Sequence, residues 1–180
     1  MNQKIKIVLL SNSIFVFAGS LFVPVYALFV EEIGGGAILA GALYALHFGS
    51  NSLVSLFIYK VKDRPYLNEK LLAVNFLFRS ICWALLGIYP SIFVFILIQL
   101  VIGACEAFGS PAFNSLISEN LDPKKHISEW GSWELIKNPA IALASILSGI
   151  IVATFGFEIL FFLMAGFSFI SFLIFASIRK

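Results

Sequence analysis

The stretch Ile92 to Ile117, IFVFILIQLVIGACEAFGSPAFNSLI, contains a single charged side chain, Glu106. Wound as an α-helix it would extend ~39 Å, enough to cross a hydrocarbon core of about 30 Å. A lipid-facing barrel strand is excluded because apolar and polar residues do not alternate, and backbone groups in lipid must be satisfied within the segment. This stretch therefore reads as a membrane helix. Working outward, five more stretches of the same kind appear: Ile7 to Val30, Ala37 to Tyr59, Leu71 to Tyr89, Trp133 to Phe155 and Ile159 to Ile178. With 60% hydrophobic and 12% charged residues among 180, a soluble domain is excluded. The expectation is an all-α integral membrane protein, one bundle of six helices over residues 1–180. Three helices followed by three, with the first entering from inside and the fourth from outside, give the layout of a 3+3 inverted repeat.

The net charge of +2 says little, but its placement says more. Lys4 and Lys6 precede the first helix, Lys60, Lys62, Arg64 and Lys70 lie between the second and third, Lys124 and Lys125 follow the fourth, and Arg179 and Lys180 come last. The connections around Glu31-Glu32, Pro90 and Gly156 carry no Lys or Arg. Basic residues favour cytoplasmic loops, so both termini are expected inside a cell membrane. Cys82 and Cys105 fall within spans and read as small buried hydrophobes. The first stretch is too long for the apolar core of a signal peptide and is read as a helix.

Ionisable groups at membrane depth are expensive, so each is a candidate for function. Counted along their helices, Arg79, Glu106 and His47 lie roughly 12, 17 and 18 Å from the inner ends, close enough in depth to meet near the midplane. Each sits on a polar stripe at helical spacing: His47, Asn51 and Ser55; Asn75 and Arg79; Gln99, Gly103, Glu106 and Ser110. Two readings of Arg79 and Glu106 compete, a structural ion pair and a protonatable or substrate-binding site. The candidates for substrate or coupling-ion contact are Glu106, Arg79, His47, Gln99, Asn51 and Asn12. Pro24, Pro111 and Pro139 can kink their helices, and Gly103 permits close helix approach. Glu134 and Lys137 lie within about a turn of the inner interface and are explained by snorkelling.

Nothing in the chain points to catalysis or a cofactor. HExxH, GxSxG, Walker-type loops and Cys/His metal spacing are all missing from the sequence. Asn138-Pro139-Ala140 invites comparison with a water-channel tripeptide, but its partner Ser110-Pro111-Ala112 is too close and lies inside a full span. No basic-aromatic surface suits nucleic acid. The expected surroundings are lipid and a small-molecule substrate.

Several motifs, in order and on the expected side, resemble the N-terminal six-helix half of a major facilitator superfamily transporter. Pro24-Val25-Tyr26-Ala27-Leu28-Phe29 followed by Ile33-Gly34 is similar to that family's first hairpin. Lys62-Asp63-Arg64 with Lys70 resembles its cytoplasmic G-x-x-x-D-R-x-G-R-R signature, with Tyr59 and Tyr66 where glycines would stand. Gln99 to Gly103 is similar to the R-x-x-x-G pattern, with Gln99 in the arginine position and Arg79 as a possible spatial substitute. Gly109-Ser110-Pro111-Ala112, Glu119, Gly131 and Gly156-Phe157 follow the family's rhythm, while Asn138-Pro139 replaces the Gly-Pro of the antiporter signature.

The resemblance implies transport by alternating access, a cavity lined mainly by the first and fourth helices, and a cytoplasmic gate at Asp63, Arg64 and Lys70. Members usually contain two such halves. The expected function is therefore a half-size secondary transporter acting as a homodimer or with a second six-helix half. The rival reading is a non-transporting scaffold, regulatory partner or remnant.

Overall fold

The computed structural model describes residues 3–60, 64–119 and 126–177, and every extended element in them is helical. Helices α1 (Gln3–Ser20) and α2 (Tyr26–Glu32) are followed by α3 (Ala37–Ile58), α4 (Pro65–Ile88), α5 (Ile92–Ser118) and α6 (His126–Ala176). Five helical segments are long and apolar enough to cross a membrane: Lys4–Glu32, Ala37–Ile58, Tyr66–Ile88, Ile92–Ser118 and Ile127–Ala176.

The first span departs from the unbroken helix expected over Ile7 to Val30. Pro24 has no N–H, and its ring collides with the carbonyl of the residue four earlier, so a regular helix cannot continue through it. The chain answers with a single tight turn, Val23–Val25, in which the Val25 N–H donates to the Phe22 carbonyl at 3.2 Å. Helix then resumes at Tyr26. Helix α2 stops at Gly34, whose φ of 88° suits glycine, and the Gly35 N–H donates to the Val30 carbonyl at 2.8 Å.

Two further boundaries differ from expectation. Helix α4 begins at Pro65, ahead of the expected Leu71, because proline at a first helical position loses only an N–H that had no partner anyway. The expected fifth and sixth helices, Trp133 to Phe155 and Ile159 to Ile178, are two arms of α6 that bend at Gly156 (φ 79°, ψ 179°). Helix α6 starts at His126, ahead of the expected Trp133. Helices α5 and α6 run through Pro111 and Pro139 without interruption.

Helix α6 packs against both α1 and α4, α4 packs against α5, and α5 carries α3. Small residues permit the closest of these approaches. A Cβ at Gly103 would overlap the His47 carbonyl oxygen, and one at Gly109 would overlap the Asn75 side chain. Hydrogen bonds pin the same contacts: Ser50 Oγ donates to the Leu100 carbonyl at 2.7 Å, and Ser80 Oγ to the Ala165 carbonyl at 2.8 Å. One core gathers rings of Phe22, Phe29, Trp83, Phe95 and Phe161, with Phe29 and Phe161 centroids 4.8 Å apart. A second core, at the other end, is built on Val8, Leu72, Phe76, Leu116 and Trp133. Helices α1 and α5 barely touch each other, and the space between them is the cavity.

Candidate functional site

A cavity of about 630 Å³ opens between α1, α3, α4 and α5. Helix direction sorts its lining into three levels. Asn12, Asn75, Phe113 and Asn114 lie toward the N-terminal end of α1; Arg79, Glu106 and His47 hold the middle; Phe22, Tyr26, Tyr44, Trp83 and Gln99 form the far level. The order follows from sequence alone once the helices are antiparallel, since α1 and α4 rise through the levels as α3 and α5 descend.

The middle level is a three-way charge cluster. One carboxylate oxygen, Glu106 Oε2, accepts from Arg79 Nη1 at 3.3 Å and lies 3.3 Å from His47 Nε2. Three helices are thereby joined at one atom, α3 through His47, α4 through Arg79 and α5 through Glu106. The Arg79 and His47 side chains are 15% and 13% exposed, against 38% for Glu106, so the carboxylate is the member that meets the cavity. Beneath the guanidinium lies the Phe15 ring, 5.1 Å from its carbon to the ring centre, a cation–π contact that helps hold the charge at depth.

The remaining candidates divide. Asn12 lines the cavity and is nearly buried. Gln99 lines it too, but is engaged: its Nε2 donates to Tyr26 Oη at 3.2 Å, and that hydroxyl donates to the Ala40 carbonyl at 3.1 Å. Asn51 is away from the cavity lining, and its Oδ1 accepts from Ser55 Oγ at 3.3 Å along α3. The expected stripe of His47, Asn51 and Ser55 thus delivers only His47. The reason is geometric: α3 leans on α5 near Gly103 and Ser50, and residues beyond that contact fall past the cavity. Of the gate residues, Asp63 lies outside the described residues. Arg64 is the extended residue before α4, and Lys70 places its ammonium 4.3 Å from the Tyr66 ring centre. Lys4 on α1 pairs with Glu69 on α4 at 2.5 Å near the same end. Among the described residues no three His, Cys, Asp or Glu side chains cluster to hold a metal.

Sequence reasoning did not single out Trp83, Tyr26 or Asn114. The signal was present for the first of these, because Asn75, Arg79 and Trp83 fall at i, i+4 and i+8 on α4. An indole amid so many aromatic residues carries no mark of its own.

The sequence model of the Major Facilitator Superfamily matches residues 8–180. A curated relative, the "Multidrug resistance protein MdtG" of Dickeya zeae (strain Ech586), is 29% identical over 164 residues, covering 87% of this chain and 39% of the relative. The chain therefore spans about two fifths of the length of that protein. No solved structure matches. The chain belongs to the Major Facilitator Superfamily. It is an integral membrane protein of a transporter family, and membership points to transport of small molecules, not to catalysis.

Proposed function

We propose that this superfamily member forms one six-helix wall of an alternating-access transporter for a small organic solute. The observation that carries the reading is the cavity itself. Its middle level is a half-buried carboxylate shared by Arg79 and His47, and its rim is bare: Val23, Tyr44 and Phe48 line it yet are 72%, 55% and 51% exposed. A second bundle that covers this rim would enclose the charge cluster and convert a groove into a binding chamber. We assign the bundle six crossings, counting the arms of α6 separately, because a straight helix of that length would extend ~76 Å, more than twice the core of a bilayer. Both termini then face the cytoplasm, in agreement with the basic residues at that side. Of the gate residues, Arg64 and Lys70 lie at that side as well.

The second bundle is supplied most simply by another copy, related by a two-fold axis along the membrane normal. Helix α3 and the first arm of α6, with Gly41, Gly49 and Ser145, form the contact. An organic solute is favoured by the aromatic far level and by the relative, a multidrug resistance protein, whose own activity belongs to a longer protein. Flux into proteoliposomes of a panel of radiolabelled organic solutes tests the transport reading. Saturable, substrate-dependent uptake is expected. Absence of uptake for the whole panel, from a folded and correctly inserted protein, would refute it.

A further inference from the structure

Three unpaired atoms on α4 bear on what kind of solute the cavity accepts. Asn75, Arg79 and Trp83 recur every fourth residue, share one face of the helix about 6 Å apart along its axis, and all line the cavity. Each retains a buried polar atom without a hydrogen bond: Asn75 Oδ1, Arg79 Nε and Trp83 Nε1. Asn75 and Trp83 are themselves 4% exposed. Buried polar atoms are paired in the great majority of cases, so a row of three calls for an explanation. Among the described residues the other such atom is Ser168 Oγ, on the second arm of α6 and outside the cavity lining. The row presents an acceptor, then two donors. The terminal torsions of Asn and Trp are soft, so these two groups can reorient about them without a shift of the helix.

Charge narrows the ligand further. Arg79 and Glu106 supply the guanidinium and the carboxylate of the lining, and they pair with each other, with the His47 imidazole as the third member. A bound ion of either sign would have to compete with that pairing in a site of low dielectric. The flanking walls are aromatic, with the Phe22 ring edge-on to Trp83 at 5.5 Å.

Resting on the transport reading above, we infer that this face of α4 is a subsite for uncharged aromatic solutes that carry both a hydrogen-bond donor and an acceptor, such as aryl amides. The ligand's N–H or O–H donates to Asn75 Oδ1, its carbonyl oxygen accepts from Trp83 Nε1 and Arg79 Nε, and its ring lies against Phe22.

The test is equilibrium binding of tritiated benzanilide to the full chain in lipid nanodiscs. Competitors are trans-stilbene, which has the same shape without the amide, and the 4-carboxy and 4-trimethylammonio derivatives, which add a charge of either sign. Benzanilide should bind saturably, with all three competitors at least about tenfold weaker. Asn75→Leu and Trp83→Phe should each weaken benzanilide about tenfold and leave stilbene unchanged. Trp83→Phe keeps an aromatic ring in place, so a monodisperse variant remains testable even if Asn75→Leu misfolds. The inference is overturned if benzanilide shows no saturable binding, if a charged derivative competes as well as benzanilide, or if neither substitution alters affinity. Saturable benzanilide binding by a chain that moves no solute into proteoliposomes would sink the transport reading alone. Uptake that survives with the α4 variants unaffected would sink the subsite alone.

Discussion

Helices α3 and α5 are both apolar and both long enough to cross a membrane, yet 6% of the most apolar stretch of α3 is buried against 44% of that of α5. Helix α5 is the more apolar of the two, but in lipid apolarity alone selects no face for burial. The difference comes from where small and polar residues fall. Helix α5 has Gly103 and Gly109 where α3 and α4 press closest, and it bears Glu106, on which both neighbours' cationic or donor groups converge. Helix α3 packs on α5 through the face that bears Leu43, His47 and Ser50, sets Tyr44 and Phe48 at the cavity rim, and turns Leu53, Leu56 and Phe57 outward. In water such an exposed apolar face would be forbidden. In lipid its apolarity is neutral, so only packing and polar contacts can say which faces belong to protein.

The sharpest way to break this comparison is to remove the carboxylate on α5 and the imidazole on α3 separately. Glu106→Ala strands the Arg79 guanidinium, which stays charged, and should cost about 3–5 kcal/mol of stability, read as a collapse of the thermal transition in detergent. His47→Gln removes a donor from α3 and strands nothing, so about 1 kcal/mol is expected. Equal losses would mean that α3 and α5 contribute alike. The double change Arg79→Leu and Glu106→Leu should recover folding, since apolar replacement of a buried pair is often neutral. If the pair also serves transport, that folded double variant will not move solute in proteoliposomes.

Next in size are the glycines. Gly103→Ala drives a methyl group into the His47 carbonyl, which is backbone and cannot yield, and should cost about 1–3 kcal/mol while loosening α3 from α5. A crosslink engineered between Ser50 and Leu100 would lose yield in that variant. Gly109→Ala meets the Asn75 side chain, which can rotate, and the loss there should be smaller. If both alanines are silent, the close approach of these helices is not what holds α5 at the centre.

A smaller effect is expected from Tyr26→Phe. The hydroxyl links Gln99 on α5 to the Ala40 carbonyl on α3, and its removal should lower stability by about 1 kcal/mol. Gln99→Leu in the Tyr26→Phe background should add little, because the two share one contact.

Much of this was legible in the chain. Apolar length identified the membrane protein, and helical depth alone brought Arg79, Glu106 and His47 to one level. What depth cannot give is azimuth. Asn51 shares the His47 stripe but lies past the line where α3 leans on α5, and that line is set by Gly103, a residue on the other helix. The break at Leu21 to Val25 was only half visible, since Pro24 marks a disturbance but not whether the helix kinks or stops. The single-oxygen bridge at Glu106 depends on rotamers of three side chains, which no spacing rule encodes.

The smallest expected effect on stability carries the most information about assembly. A Cβ at Gly41 or Gly49 on α3 meets nothing within 4 Å, so Gly41→Leu and Gly49→Leu should shift the stability of the isolated bundle by no more than about 0.5 kcal/mol. If lipid alone covers this face, the added side chains are as welcome there as any other leucine, and solute uptake should be unchanged. If a second bundle packs on α3, the same side chains stand in its path. Crosslinking between copies through a cysteine at Ile38 should then fall, and uptake should fall with it. A bundle of unaltered stability that loses crosslinking and uptake together would show that the bare face of α3 is a surface for protein. Retention of both would leave α3 as an edge facing lipid, and the partner would have to be sought on the first arm of α6.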